Sequence, residues 1–210
     1  TSLIHLFYGE VTNNYCGFSN RCAIIDFRVQ LMLIGSFGLR LIITIFIIKE
    51  VFGNMNEIIN ALYQRKSVRV FTDDPITDED KKLILTSAIQ APSAGCQLLY
   101  TILDITDQTK KDRLADLCDH QTFIAAGQMV LIFCADCQKW DAFYKEAGIS
   151  PRRPGAGDLL LAVEDAMIAA QNAVVAAESL GIGSCYIGDI MENVEEIRTL
   201  LSLPEYVYPA

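Results

Sequence analysis

The sequence predicts an α+β chain, a mixed α/β sheet with helices packed across it. Three observations carry that expectation. Helical and strand patterns alternate from about Met55 onward with connections of mixed length, as in a sheet covered by helices. "QMVLIFCAD" (128–136) is a continuous apolar run of the length of a buried strand. "DLLLAVEDAMIAAQNAVVAAESLG" (158–181) is apolar almost all round, so burial of most of its faces is expected.

Taken in order, "NEIINALYQR" carries Ile58, Ile59, Leu62 and Tyr63 at helical spacing and ends at a basic cluster. "TDEDKKLILTSAIQAP" predicts a second helix, with Thr77 as N-cap, Asp80 in the capping-box position and Pro92 as the stop. "LYTILDIT" (99–106) reads as a strand, 110–118 as a short helix, 128–136 as the buried strand and 138–147 as a polar helix. The Pro and Gly residues of "SPRRPGAG" (150–157) predict a loop. Asp158 then caps the long helix, and Gly181 sits where a left-handed residue ends it. "IGSCYIGDI" (182–190) predicts a short strand, and 193–204 a helix with Asn193 and Glu196 as its capping box.

The polar exceptions in the long helix form two neighbouring lines, Glu164, Gln171, Glu178 and Asp165, Asn172, Ser179. A seven-residue spacing drifts only about 20° per repeat, so each line keeps to one side. They are either a narrow wet or inter-subunit edge, which is the favoured reading, or an approach of Gln171 and Asn172 to a ligand.

A length of 210 residues fits one domain. The formal net charge of -9 argues against general nucleic-acid binding, which draws on extended Lys/Arg surfaces. The seven cysteines are scattered and odd in number, as in a protein of a reducing, cytoplasmic setting. Cys134 and Cys137 form a CxxC without the second pair a zinc site needs, at the end of an apolar run rather than the start of a helix. They are read as structural.

Composition changes abruptly near Met55. Before it, 31–48 is apolar over a membrane-spanning length, interrupted by Arg40, which costs about 3 kcal/mol at a helix centre. That stretch is a membrane anchor, a buried helix or strand pair, or upstream sequence foreign to the mature protein. A natural start at Met55 is the favoured reading, leaving residues 1–54 as an extension and 55–210 as the domain.

No hydrolytic triad or metal site is apparent, since the histidines are His5 and His120 alone and neither has a nucleophile context. "GIGSCYIG" follows a helix and lacks the strand-to-helix setting of a dinucleotide fingerprint. What remains is "RKSVR" (65–69), "APSAGCQ" (91–97), "HQTF" (120–123) and "YIGD" (186–189). Arg65 and Arg69 can offer forked donors to a phosphate, Lys66 a point charge and Ser67 a hydroxyl. A helix C-terminus also attracts cations by its dipole, so the cluster alone fits a solvated patch as well. The small residues of "PSAG" let backbone approach a flat ligand. In combination these signals suggest a phosphorylated, planar cofactor.

Together, "RKSVRVFTDDPI", "APSAG", "CDHQTFIAAGQMVLIFCADCQKW", "DAMIAAQNAVVAAESLGIGSCYIG" and "LLSLP" resemble the FMN-dependent nitroreductase superfamily, in wording closest to its NADPH-using nitroreductase/flavin reductase branch. The likeness runs from about Met55 to Ala210. It implies a central, mostly antiparallel sheet flanked by helices, a homodimer built on the long helix, and FMN bound at the interface. By the same resemblance Arg65, Lys66, Ser67 and Arg69 grip the FMN, and Pro92, Ser93 and Ala94 are lent to the flavin of the partner subunit. Gln121 is the glutamine of the "HQ" motif, and Tyr186, Ile187, Gly188 and Asp189 pass the flavin face near N5.

The implied activity is an NAD(P)H oxidoreductase that reduces nitroaromatics, quinones or free flavin by ping-pong hydride transfer. NADPH, or else NADH, is the donor, and the absence of an acid/base pair fits chemistry carried by a flavin. Positive charge from Lys66 or Arg69 is expected to stabilise the reduced ring. Two departures accompany the resemblance. Where many relatives carry Asn-x-Gln after the Pro-Ser turn, this chain has Cys96, Gln97 and Leu98. The strand and Lys/Arg pair that complete the relatives' phosphate site are expected to be missing, the domain being truncated at its C-terminus. A flavin-binding protein with little turnover, and a membrane-tethered reductase should 31–48 insert, are the alternatives.

Overall fold

The long helix organises the architecture through a face made almost wholly of alanine. In the computed structural model, which describes residues 56–210, it spans Ala156–Ser179 and buries Ala162, Asp165, Ala166, Ala169, Ala170, Ala173 and Ala177. Those positions recur at three- and four-residue steps, one side of a helix. The expectations for 1–54, including the 31–48 stretch, lie outside the described residues.

In chain order the elements are α1 (Glu57–Gln64), α2 (Asp78–Ile89), β1 (Tyr100–Asp104), α3 (Gln108–Leu117), α4 (Phe123–Ala126), β2 (Leu131–Asp136), α5 (Asp141–Glu146), α6 (Ala156–Ser179), α7 (Val194–Leu201) and β3 (Val207–Pro209). Short 3-10 turns occupy Ala94–Cys96 and Gly188–Met191. β2 runs antiparallel between β1 and β3, with Thr101 opposite Cys134 and Ala135 opposite Tyr208. The fold is thus mixed α+β with an antiparallel sheet, as the sequence predicts.

β2 explains its own composition. Ile132 and Cys134 face a cluster with Leu114, Cys118 and Ile124 from the α3–α4 region and Ile197 from α7. Leu131 and Phe133 point the other way, toward Ile84 and Ala88 of α2 and the alanines of α6. Successive side chains alternate sides, so a central strand covered on both faces must be apolar throughout.

Several local expectations hold at the atomic level. The Thr77 Oγ1 caps α2, accepting the Asp80 N–H at 3.1 Å. Gly181, at φ +76°, takes the left-handed conformation after α6. Others need correction. α6 begins at Ala156, not Asp158; the Asp158 carboxylate reaches back to accept the Gly155 N–H at 2.8 Å and pairs with Arg152. The predicted capping box at 193–196 does not form, because Asn193 donates to the Leu117 carbonyl at 2.7 Å and Glu196 pairs with Arg113 at 3.1 Å. The segment 182–190 is no strand of the sheet: it makes a single parallel bridge, Ser184 to Ser67, then a 3-10 turn.

The long helix is also less enclosed than its composition implies. Its larger apolar side chains, among them Leu160, Leu161, Met167 and Ile168, point away from the alanine face and are exposed. Two members of its second polar line, Asp165 and Asn172, turn inward rather than lying on a wet edge, while Ser179 is exposed. The Asn172 amide donates to the Ser87 carbonyl of α2 at 3.1 Å, and Asp165 is buried beside the 93–99 turn.

Ile197 is wholly buried where α7 meets β2 and α3. Ile197→Ala is expected to lower stability by about 2–5 kcal/mol through lost burial and a residual cavity. A urea midpoint shift at unchanged slope checks this, and a loss below about 1 kcal/mol would mean that the site collapses around the smaller side chain.

Candidate functional site

"RKSVR" begins at the C-terminal end of α1, where the Arg65 N–H closes the last turn on the Ala61 carbonyl at 2.9 Å. The chain then extends and lies beside 182–186. The Val68 N–H donates to the Ser184 carbonyl at 2.9 Å, forming the Ser67–Ser184 bridge. Gly183 permits this approach: a Cβ there would stand 2.7 Å from Val68 Cγ2 and 3.0 Å from Val68 Cβ. The sequence places this glycine in a predicted strand, in a rejected dinucleotide motif and in one of the family-like segments, without assigning it a packing role. The signal for its role lies in Val68, far away in the chain.

Arg65, Lys66 and Arg69 make no ion pair with any carboxylate among the described residues. The Arg69 guanidinium instead lies 5.9 Å from the centre of the Phe123 ring, a cation–π contact. Arg65 acts on Tyr186: burial raises the phenol pKa and the guanidinium opposes it. The Tyr186 hydroxyl reaches Gln171 of α6 at 3.4 Å.

A cavity of about 760 Å³ opens beside these segments, with Lys66, Val68, Phe123, Tyr186 and Ile187 among its lining. Its walls are largely apolar, and Gly183 and Ser184 reach it as well. The structure therefore brings together the basic segment and the 186–187 stretch.

The 92–97 turn lies elsewhere. The Asp165 carboxylate accepts the Ala94 N–H at 2.9 Å and the Leu99 N–H at 3.2 Å, while the Ser93 hydroxyl accepts the Leu98 N–H at 3.0 Å. Trp140 adds a bond from its indole N–H to the Gln97 carbonyl at 2.9 Å. Gly95, Cys96 and Leu98 all take left-handed φ, at 56°, 56° and 51°. None of Pro92, Ser93, Ala94, Cys96 and Gln97 lines the cavity. Asp165 lies about 9 Å along the helix from Gln171, at 1.5 Å rise per residue.

Gln121 is tied to the 186–189 stretch by a side-chain bond, its amide Nε2 donating to Asp189 Oδ2 and, at 2.9 Å, to the Cys118 carbonyl. Gly188 and Asp189 form the start of the 3-10 turn that follows the cavity-lining Tyr186 and Ile187.

The described cysteines are all free. Burial, aided by Asp136, pushes the Cys134 thiol up to about 12, and burial raises Cys137 with help from Asp158 and Asp136. A raised thiol pKa opposes thiolate chemistry, consistent with structural roles for the pair. Among the described residues no group of His, Cys, Asp and Glu is arranged to hold a metal ion.

Comparison with known proteins gives a family, two relatives and two solved structures. Residues 62–209 match the model of the nitroreductase family. The chain is 36% identical over 155 residues to the oxygen-insensitive NADPH nitroreductase of Salmonella typhimurium, covering 74% of this chain and 63% of that protein. It is 32% identical over 157 residues to an FMN reductase (NAD(P)H) of Bacillus subtilis, again covering 74% and 63%. The chain thus spans less than two thirds of the length of both relatives. Among solved structures, B. megaterium NfrA2 superposes with TM-score 0.72 at 36% identity over 74% of this chain and 64% of that one. The NADPH:FMN oxidoreductase of Vibrio harveyi complexed with NAD+ superposes with TM-score 0.67 at 30% identity over 73% and 65%.

Two outcomes follow. Gly183→Ala is expected to cost about 1–3 kcal/mol by overpacking, most of it recovered when Val68→Ala is added; strictly additive losses in thermal unfolding would remove the contact as the cause. Near neutral pH, iodoacetamide is expected to alkylate exposed Cys96 and to spare buried Cys118, whose thiol is pushed up to about 11, and Cys134 until denaturant is added. Peptide mass mapping reads this, and early labelling of Cys134 would contradict its burial.

Proposed function

The chain belongs to the nitroreductase family, and from that premise we propose that it is an FMN-dependent NAD(P)H oxidoreductase acting on nitroaromatics, quinones or free flavin. One observation carries the reading: Arg65, Lys66 and Arg69 have no carboxylate partners among the described residues, and they sit on a segment whose Lys66 and Val68 line a largely apolar cavity. In a chain of net charge -9, three such cations are an anion site.

The residues present fit a phosphorylated, flat group. The cations and the Ser67 hydroxyl would hold the phosphate and polar chain, and the Gly183 contact keeps that segment against 184–187. FMN, when bound there, would supply the hydride- and electron-transfer chemistry of an NAD(P)H oxidoreductase. The protein's part is to hold the cations close, to keep water from the apolar wall formed by Val68 and Ile187, and to present Tyr186 at its edge. Positive charge from Lys66 or Arg69 favours the anionic reduced ring. NADPH is favoured as the donor by the names of the relatives, and a reducing, cytoplasmic setting by the free thiols.

A homodimer with FMN at the interface completes the reading. Two features support it: the 92–97 turn does not line the cavity of its own chain, and Leu160, 65% exposed, heads an uncovered apolar side of α6 that suits a second copy. Turnover is preferred to flavin scavenging because the relatives are named as reductases.

The test is a flavin titration of the purified full chain, followed by NADPH oxidation with a quinone or nitrofuran. Wild type is expected to prefer FMN to riboflavin, which lacks the phosphate. Lys66→Gln with Arg69→Gln should abolish that preference, with a loss of about ten- to a hundredfold per charged contact. An unchanged preference, or a chain that binds neither flavin, overturns the proposal.

A further inference from the structure

We propose that Gln121 is a positioning residue: it clamps Asp189, and so fixes the 186–189 stretch at the cavity, rather than touching the cofactor through its amide nitrogen. The inference rests on the flavin reading of the site given above. An amide nitrogen has two hydrogens to donate. Both acceptors of the Gln121 nitrogen belong to this chain, the Cys118 carbonyl at 2.9 Å and Asp189 Oδ2, so its donor capacity is already used.

The backbone around Gln121 is shaped to present it. Asp119 and His120 take left-handed φ of 57° and 54° in succession, residue types that tolerate this conformation better than most. This double turn folds Gln121 back beneath the end of α3, where its N–H reaches the Ala115 carbonyl at 3.0 Å. A second tie lies four residues past Asp189, where Asn193 donates to the Leu117 carbonyl at 2.7 Å. The segment 189–193 is thereby fastened to the C-terminal end of α3 at both ends. Tyr186 and Ile187, immediately before it, line the cavity, whereas Gln121 and Asp189 do not. Gln121 therefore sets the position of residues that face the cavity while standing outside it.

The experiment uses the full chain as wild type, Gln121→Leu, Asp189→Ala, the double variant and Asp189→Asn. FMN affinity is read by quenching of flavin fluorescence, and amide hydrogen exchange over 186–191 is read without flavin. Each of the first two substitutions is expected to weaken FMN binding by about ten- to a hundredfold and to speed exchange over 186–191 while α6 stays protected. The double variant should be no worse than the worse single one, as a shared bond requires. Asp189→Asn keeps an oxygen that can accept from Gln121 and should remain near wild type. Additive losses, exchange unchanged in Gln121→Leu, or Asp189→Asn as damaging as Asp189→Ala would each overturn the clamp. Wild-type protein that quenches no flavin overturns the flavin reading and with it the cofactor part of this inference, while the exchange rates still decide whether Gln121 holds the segment.

Discussion

The alanine face of α6 is the constraint from which the rest of the domain is built. Ala162, Ala166, Ala169, Ala170, Ala173 and Ala177 are buried along one side, and α2, β1 and β2 pack on them. Alanine adds no rotamer entropy cost on burial and projects only one carbon, so neighbouring backbones can come close. Larger buried groups, such as Ile84, Tyr100 and Phe133, then come from the opposing elements. The one polar member of the face, Asp165, can be tolerated at 3% exposure only because two backbone N–H groups meet it. That satisfaction does more than stabilise. It ties a turn containing three left-handed residues to a fixed point on the helix, and burial together with Asp165 raises the pKa of the neighbouring Tyr100 phenol.

Charge is distributed with comparable economy. Several carboxylates of this acidic chain are engaged at helix starts, where backbone N–H groups await acceptors: Asp107 for α3 and Asp158 for α6. Others meet basic side chains on the surface, as Glu196 meets Arg113 and Asp141 meets Lys145. Among the described residues, Arg65, Lys66 and Arg69 are left out of this pairing. Two of them meet aromatic rings, Arg69 over Phe123 and Arg65 close enough to Tyr186 to oppose the rise of its phenol pKa. A cation stacked on a ring keeps its donors directed outward, which is the state an incoming anion needs.

What was legible in the sequence was local. Thr77, the alternation of β2 and the left-handed Gly181 each follow from a few adjacent residues, and the predicted α2, β2 and α6 hold. The errors arise where a distant partner decides. A capping box at Asn193 and Glu196 is plausible until Leu117 and Arg113 are placed beside them. The 182–190 stretch has strand-like residues, yet only Ser184 finds a bridging partner, because the chain turns at Gly188. β3 is too short, and too rich in Tyr and Pro, to announce itself. The basic cluster was visible by composition, but its lack of carboxylate partners among the described residues required the fold. The polar lines of α6 were visible as a period, while the inward turn of Asp165 and Asn172 was set by which backbone groups of the 93–99 turn and α2 needed a partner.

The same helix gauges both halves of the candidate site. Asp165 holds the Pro-Ser turn, and further along α6 Gln171 receives the Tyr186 hydroxyl at the cavity. The two are about 9 Å apart on a rigid element, so neither can move along the helix independently of its register. In the proposed dimer the turn serves the flavin of the other copy, and a shift of α6 would then alter one site through Tyr186 and the other through Ala94. A chain that builds two half-sites gains from measuring both against one helix, because the separation is then fixed by covalent geometry rather than by the packing of separate elements. Within one chain the buried carboxylate has a simpler account: Asp165 ties the turn to α6 through the Ala94 and Leu99 N–H groups, and Trp140 adds a second tie at Gln97.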